Sequence, residues 1–151
     1  MIRRARRLAA LPAAERRLLA EAALVLTAAR LALALLPFRW VVRLFALRLA
    51  GAAAGEAVAG ADAELAVQVG SVIDRVADRL PFRPVCLPRA LAGHLMLRRR
   101  GIGCQLHLGV RMTEGALGAH AWLTVAGTTV CGGAAAASGF TPIAVLHSRV
   151  N

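Results

Sequence analysis

Between residues 18 and 36 the chain reads LLAEAALVLTAARLALALL, a run in which charge appears only at Glu21 and Arg30. Leu19, Leu26 and Leu33 recur at heptad spacing and, with the alanines between them, predict a helix with a broad apolar face. Nineteen residues could just cross a bilayer. The two charges would be costly at the centre of a membrane span, so a buried or peripheral helix is expected. Pro37 ends it. Residues 38–50, FRWVVRLFALRLA, predict a second, amphipathic helix, with Arg39, Arg43 and Arg48 near one side and Phe38, Val41, Val42, Phe45 and Leu49 on the other. The basic side reads as solvated surface around core residues or as a docking surface for a membrane or an acidic partner.

GAAAGEAVAG, residues 51–60, reads as a linker. A third helix is expected over about 61–80, with Asp62, Glu64, Asp74 and Asp78 as its acidic positions, broken by Pro81 and Pro84. Then comes VCLPRALAGHLMLRRRG. Val85 and Cys86 open a helix, Pro88 suits its first turn, and Gly101 closes it after three arginines. Beyond Gly103 the period changes to two. CQLHLGVRM predicts a strand, TEGALGA a hairpin loop, HAWLTVAG a second strand and TTVCGG a third. The tail AAAASGFTPIAVLHSRVN carries no clear pattern. The expected organisation is an N-terminal helical region over 1–50, a linker over 51–60, and a core over 61–151 that forms one unit with the helices. The fold class is α+β, with a cysteine-bearing helix packed on a small antiparallel sheet.

The chain is 58% hydrophobic, which argues against disorder. Its net charge is +11, and all nineteen basic residues are arginine. That excess implies an anionic partner or, for the choice of arginine, a coding bias. Few aromatics and no nucleic-acid motif argue against nucleic-acid binding. Cys86, Cys104 and Cys131 are odd in number and lack CxxC spacing, so neither a disulfide framework nor a zinc site is expected, and a reducing cytoplasm fits. No metal and no cofactor are expected. The basic start MIRRARRLAALPAAERR is interrupted by Pro12, Glu15, Arg16 and Arg17 and does not read as a signal peptide.

Cys86 at a helix start is placed where free backbone N–H groups and the helix dipole favour a thiolate. An imidazole nearby would complete a nucleophile, and the same N–H groups could receive an oxyanion. A free cysteine is more often a small buried hydrophobe, and this alternative stays open from the residues alone.

The stretch CLPRALAGHLMLRRRGIGCQLHLGV, followed by AHAWLTVAG, resembles the transglutaminase-like cysteine protease domain of lasso-peptide biosynthesis. The likeness extends over roughly residues 10–130. It implies a transglutaminase/papain-like core and a leader peptidase acting on a ribosomally made precursor peptide. It maps the nucleophile to Cys86 and the general base and acid to His120. It further implies the protease part of a split system, working with a separate leader-recognition protein and an asparagine-synthetase-like, ATP-using cyclase.

The pattern departs from the family at the third catalytic residue. An aspartate is expected about a dozen residues past the histidine, where this chain has Gly132, and no Asp or Glu follows Glu114. The group orienting His120 is left open among a backbone carbonyl, Thr124, Ser138, Asn151, Asp74 and Asp78. Trp122 and His107 are candidates for a substrate groove. His94, two turns beyond Cys86, is read as structural, and Cys104 and Cys131 as packing residues. His147 lies in the uninterpreted tail. Arg98, Arg99 and Arg100 read as a solvated helix end or as a grip on an acidic leader. The alternative function is a weakened or inactive scaffold subunit of the same complex. Membrane contact through residues 18–50 is not favoured.

Overall fold

The computed structural model describes residues 12–49, 60–133 and 138–148. Apart from Gly60, the expected linker lies outside them, as do residues 1–11 of the basic start and Asn151. Helices α1 (Ala13–Leu35), α2 (Phe38–Leu44), α3 (Gly60–Ala77) and α4 (Cys86–Arg98) accompany strands β1 (Leu47–Leu49), β2 (Gln105–Thr113), β3 (Ala116–Val125), β4 (Thr128–Cys131) and β5 (Thr141–Ser148). The strands form one antiparallel sheet in the order β1-β5-β2-β3-β4. The α+β class expected from the sequence is the one observed.

Three elements differ from expectation. The helix expected over 38–50 stops at Leu44, and Ala46 turns through a φ of 50° into β1. Phe45 and Leu47 are both buried, and positions two apart cannot share one helical face. The loop expected at TEGALGA shrinks to Glu114–Gly115, whose φ angles of 50° and 82° make a two-residue turn matched to the strand twist. Ala126–Gly127 repeats it between β3 and β4, at 47° and 79°. The unassigned tail supplies β5, which pairs with β2 on one side and β1 on the other.

The core sits between the helices and one face of the sheet. Helix α4 is buried nearly all round: Ala90, Leu91, Ala92, Gly93 and His94 are consecutive and all buried. Its lack of an apolar period is the signature of such a central helix. A Cβ on Gly93 would come within 2.9 Å of Leu123 Cδ2, so this glycine lets α4 lie directly on β3. Helix α1 buries Leu18, Ala22, Val25, Leu26, Ala29 and Ala32 in the same core. Each large aliphatic side chain withdrawn in this way contributes about 1.5–3 kcal/mol.

The glutamate inside the apolar run points inward. Glu21 takes both guanidinium nitrogens of Arg100, at 3.2 and 2.6 Å, and one of Arg99 at 3.4 Å. Arg100 is therefore committed to α1 and is not the solvated helix end expected from the sequence. His94 is fully buried. Its Nε2–H donates to the Phe45 carbonyl at 2.9 Å, and the Cys104 thiol reaches Nδ1 at 3.5 Å. The ring thus joins α4 to the α2–β1 corner and to the start of β2. Burial holds its pKa below the ordinary 6.5; the bond to Phe45 opposes this and the charge of Arg98 adds to it.

Edge strand β4 is covered by α3, whose Gly70 lies against the Val130 carbonyl so closely that a Cβ there would overlap it. Gly70→Ala should therefore destabilise the protein by about 1–3 kcal/mol through overpacking, although alanine is the better helix former. Urea unfolding midpoints measure this. His94 contributes fully to stability above pH 6.5, and its contribution is lost as pH falls through 6.5 towards the lower folded value, because the unfolded chain takes the proton first. Stability should fall below that pH with a slope approaching ~1.4 kcal/mol per pH unit for the one proton, and His94→Gln should flatten the slope. Urea midpoints from pH 7.5 to 5 test it.

Candidate active site

Cys86 is the first residue of α4 and is half buried. Val85 caps the helix in an extended conformation without a side-chain hydrogen bond, so the N–H groups of Cys86 and Leu87 have no partner inside the helix. Pro88 brings no N–H of its own. One turn on, Arg89 anchors this helix end. Its Nε donates to the Pro84 carbonyl at 2.8 Å, Nη1 to Asp74 at 3.2 Å and Nη2 to Asp78 at 2.8 Å. Burial works against that charge, but the bonds to Asp78 and Asp74 prevail and the guanidinium pKa lies above its ordinary value.

His120 stands on β3 directly opposite Gly109 of β2. Its ring lies between Trp122, stacked with centroids 6.0 Å apart, and Phe140, tilted at 5.0 Å. His107 stacks on Trp122 at 5.2 Å, nearly parallel, and its Nε2 is hydrogen-bonded to Thr124 Oγ1 at 2.9 Å. Gly109 makes room for this row, since a Cβ there would come within 2.7 Å of the Trp122 ring. Arg111 completes it, its guanidinium 4.6 Å above Phe140. Phe140 and Arg111 were not singled out from the sequence. The strand parity of Arg111 with Gly109 was visible, but Phe140 lies in the tail without a pattern.

The hydrogen-bond partner of His120 is a backbone carbonyl. Nε2–H donates to Gly132 O at 2.8 Å, which leaves Nδ1 as the nitrogen for a thiol. Gly132 is the residue at the position where an aspartate was expected, and its φ of 97° is left-handed. A Cβ there would lie 2.8 Å from Trp122 Cβ and 2.9 Å from the Ala121 carbonyl. The backbone that presents the carbonyl thus excludes a side chain. Of the other candidates, Thr124 is engaged with His107, and Asp74 and Asp78 with Arg89, while Asn151 lies outside the described residues.

The thiol and the imidazole approach each other in part. Gly93 lies over Leu123, and the helix end bearing His94 lies beside Cys104. Cys86 is seven residues back along α4, about 10 Å. His120 is three residues back along β3, also about 10 Å. Seven residues are close to two helical turns, so Cys86 shares with Gly93 the side of α4 that faces the sheet. Cys131, the residue before Gly132, lies against α4, since a Cβ on Gly93 would be 3.9 Å from its Cβ, so the Cys131–Gly132 segment links the helix to the partner of His120. Strand alternation, however, puts His120 with Trp122 and Thr124 on the face away from α4, while Ala121, Leu123 and Val125 face the core. Among the described residues no hydrogen bond joins Cys86 to His120.

Cys131 is buried, and burial, with the Asp74 charge adding, pushes its thiol up to about 12. His107 is held below its ordinary pKa by burial. His147 buries Nδ1 without a hydrogen-bond partner. Among the described residues no group of three or more His, Cys, Asp or Glu could hold a metal ion.

No curated protein and no solved structure matches the chain. A family model described as the transglutaminase-like superfamily matches residues 32–145, from the C-terminal part of α1 into β5, and takes in Cys86, His120 and Gly132. With three quarters of its length matched, the chain belongs to the transglutaminase-like superfamily.

Proposed function

We propose that the protein is a cysteine-type peptidase in which Cys86 is the nucleophile and His120 the general base and acid. The observation that carries this reading is the 2.8 Å bond from His120 Nε2 to the Gly132 carbonyl, which holds the ring with Nδ1 free. A carbonyl oxygen orients the imidazole and fixes its tautomer, the main tasks of the third group in such a triad. It carries less charge than a carboxylate and stabilises the imidazolium less. A thiol tolerates that loss better than a hydroxyl, because it is already partly ionised near neutral pH.

In the proposed reaction His120 takes the thiol proton as Cys86 sulfur adds to a peptide carbonyl. The oxyanion is received by the N–H groups of Cys86 and Leu87 at the open helix end. Collapse breaks the C–N bond, the imidazolium gives its proton to the leaving amine, and a thioester remains. Water, deprotonated by the same imidazole, hydrolyses the thioester to a carboxylic acid and restores the thiol. The thiol–imidazole contact is required in the substrate complex, and because His120 lies on the sheet face away from α4, the reaction requires the His120 ring or the Cys86 end of α4 to move when substrate binds. The likeness of CLPRALAGHLMLRRRG and AHAWLTV to lasso-peptide proteases supports the leader–core junction of a ribosomal precursor as the substrate. It also supports a separate recognition protein and an asparagine-synthetase-like cyclase as partners.

A second reading, an inactive scaffold subunit of the same assembly, is favoured by the placement of His120 on the sheet face opposite α4. Thiol trapping separates the two. With iodoacetamide at pH 7, Cys86 should label at least about tenfold faster than Cys104 or Cys131, as a partly exposed thiol at a helix N-terminus does relative to buried ones. Cys86→Ala should abolish precursor cleavage, read by mass spectrometry, while recognition-protein binding persists. Equal labelling of all three thiols, with no cleavage by the wild type, identifies the scaffold.

The carbonyl assignment has its own test. Gly132→Ala should lower kcat tenfold or more with little change in KM, because it moves an orienting group that touches no substrate. Gly132→Asp, which returns a carboxyl group to this position, should also lower kcat, because its Cβ meets Trp122 and the Ala121 carbonyl before its oxygen can help. A gain of activity in Gly132→Asp would show that the position is a vacant aspartate site and not a carbonyl device.

A further inference from the structure

Charge and exposed apolar surface are concentrated in the same part of the chain. Residues 1–49 hold ten arginines and two acids, against nine and six in the remainder. Those two acids, Glu15 and Glu21, are turned to Arg75 of α3 and to Arg99 and Arg100 at the end of α4. Arg30, Arg39, Arg43 and Arg48 are exposed. Among the described residues, eight of the fourteen exposed large hydrophobic side chains also lie between residues 24 and 49.

On α1 those side chains form a line. Leu24, Leu31 and Leu35 are 72, 53 and 76% exposed. Spacings of seven and eleven residues put Leu31 and Leu35 each about 20° from Leu24, on either side of it, so that the three span about 40° around the helix, with Ala20 and Ala28 at the margins. No charged residue falls on this stripe between Ala20 and Leu35. Helix α2 adds Trp40 and Leu44, both exposed and one turn apart on the side away from the buried Val41, with Arg43 over the Trp40 ring at 5.3 Å. The opposite side of α1 is the one that packs into the core.

We propose that this face of α1 and α2 lies on the surface of an anionic lipid bilayer, with the stripe in the acyl boundary and the arginines at the headgroups. A leucine row with exposed arginines around it and Trp40 at its end is the composition of an interfacial helix. The objection to a membrane span does not extend to this arrangement, since Glu21 is paired with Arg99 and Arg100 and Arg30 lies about 100° or more round the helix from the stripe. Helix α1 is long and apolar enough to cross a membrane, but its core-facing side is already occupied. A second copy of the chain is disfavoured as occupant, because it would bring like-charged arginines together. A convex helix surface with no groove also asks little shape complementarity of its occupant, which suits lipid better than a folded protein.

The test is flotation of the full chain with vesicles of phosphatidylcholine alone or with a third phosphatidylglycerol, at low salt and at 0.5 M salt, alongside tryptophan emission. Binding to the anionic vesicles with a blue shift of Trp40 is expected, Trp122 being buried. Arg39→Gln with Arg43→Gln should weaken binding on the order of fivefold per arginine. Leu24→Glu with Leu31→Glu should weaken it more than about tenfold, with an unchanged urea midpoint because both side chains are exposed. The proposal is overturned if the wild type does not float with anionic vesicles, or if the leucine variant binds as well as the wild type. Sedimentation of a dimer abolished by Leu31→Glu would assign the face to a second copy, and stoichiometric binding of the recognition protein abolished by it would assign the face to a protein partner.

Discussion

The burial of α4 on every side is the constraint around which the molecule is built. A helix with Ala90, Leu91, Ala92, Gly93 and His94 all enclosed has no polar face to give to solvent, so other elements must surround it. Helices α1 and α3 cover one side and β3 the other, with Gly93 setting the closeness of the sheet. Only the ends of α4 remain open. Its C-terminal end is held by Arg99 and Arg100 against Glu21, and its N-terminal end by the Arg89 fork. Cys86 is therefore fixed from behind with its thiol half buried, as the proposed role of nucleophile asks.

On the sheet, the corresponding order comes from a row of flat rings. His107, Trp122, His120 and Phe140 lie against one another, and the two imidazoles are each held by one oxygen, Thr124 Oγ1 and Gly132 O. Two glycines make the row possible. Gly109 gives the Trp122 ring its place, and Gly132 takes a left-handed turn that aims a carbonyl at Nε2. The missing acid of the sequence thus has a local cause: the chain at 132 passes too close to Trp122 to carry any side chain.

The helix that opens at Cys86 and the strand that carries His120 were legible, because Pro84, Pro88 and Gly101 punctuate the one and alternation marks the other. The partner of His120 was not, because a backbone carbonyl has no letter in a sequence and its use depends on a φ angle. The face of His120 was ambiguous for a different reason. Ala121, Trp122 and Leu123 are all apolar, so parity alone could not say which side of β3 meets the core. Strands β1 and β5 were hidden by length and by exposure: β1 has three residues, and the first half of β5 is exposed. Glu21 misled as a bare letter, since its meaning in an apolar helix depends on Arg100, seventy-nine residues away.

The three core helices share a further device. Alanines are interspersed among the larger aliphatics of their contact surfaces (Ala22, Ala29 and Ala32 on α1, Ala66 and Ala77 on α3, Ala90 and Ala92 on α4), and such small side chains let helices approach closely but resist sliding less than large knobs do. Each seam carries one ion-pair junction: Glu15 with Arg75 between α1 and α3, Glu21 with Arg99 and Arg100 between α1 and α4, and Asp74 and Asp78 with Arg89 between α3 and α4. Pairs as exposed as these contribute no more than about 1 kcal/mol each, so they are poor candidates for holding the fold together. Their value lies in register, since sliding any helix by one turn would break its junction and leave an acid facing alanine. Because the first helix commits both its acids to these junctions, Arg30 on its outer side is left with no acid of its own helix to balance it. The one-signed outer surface of α1 and α2 is thus a consequence of how the interior is aligned.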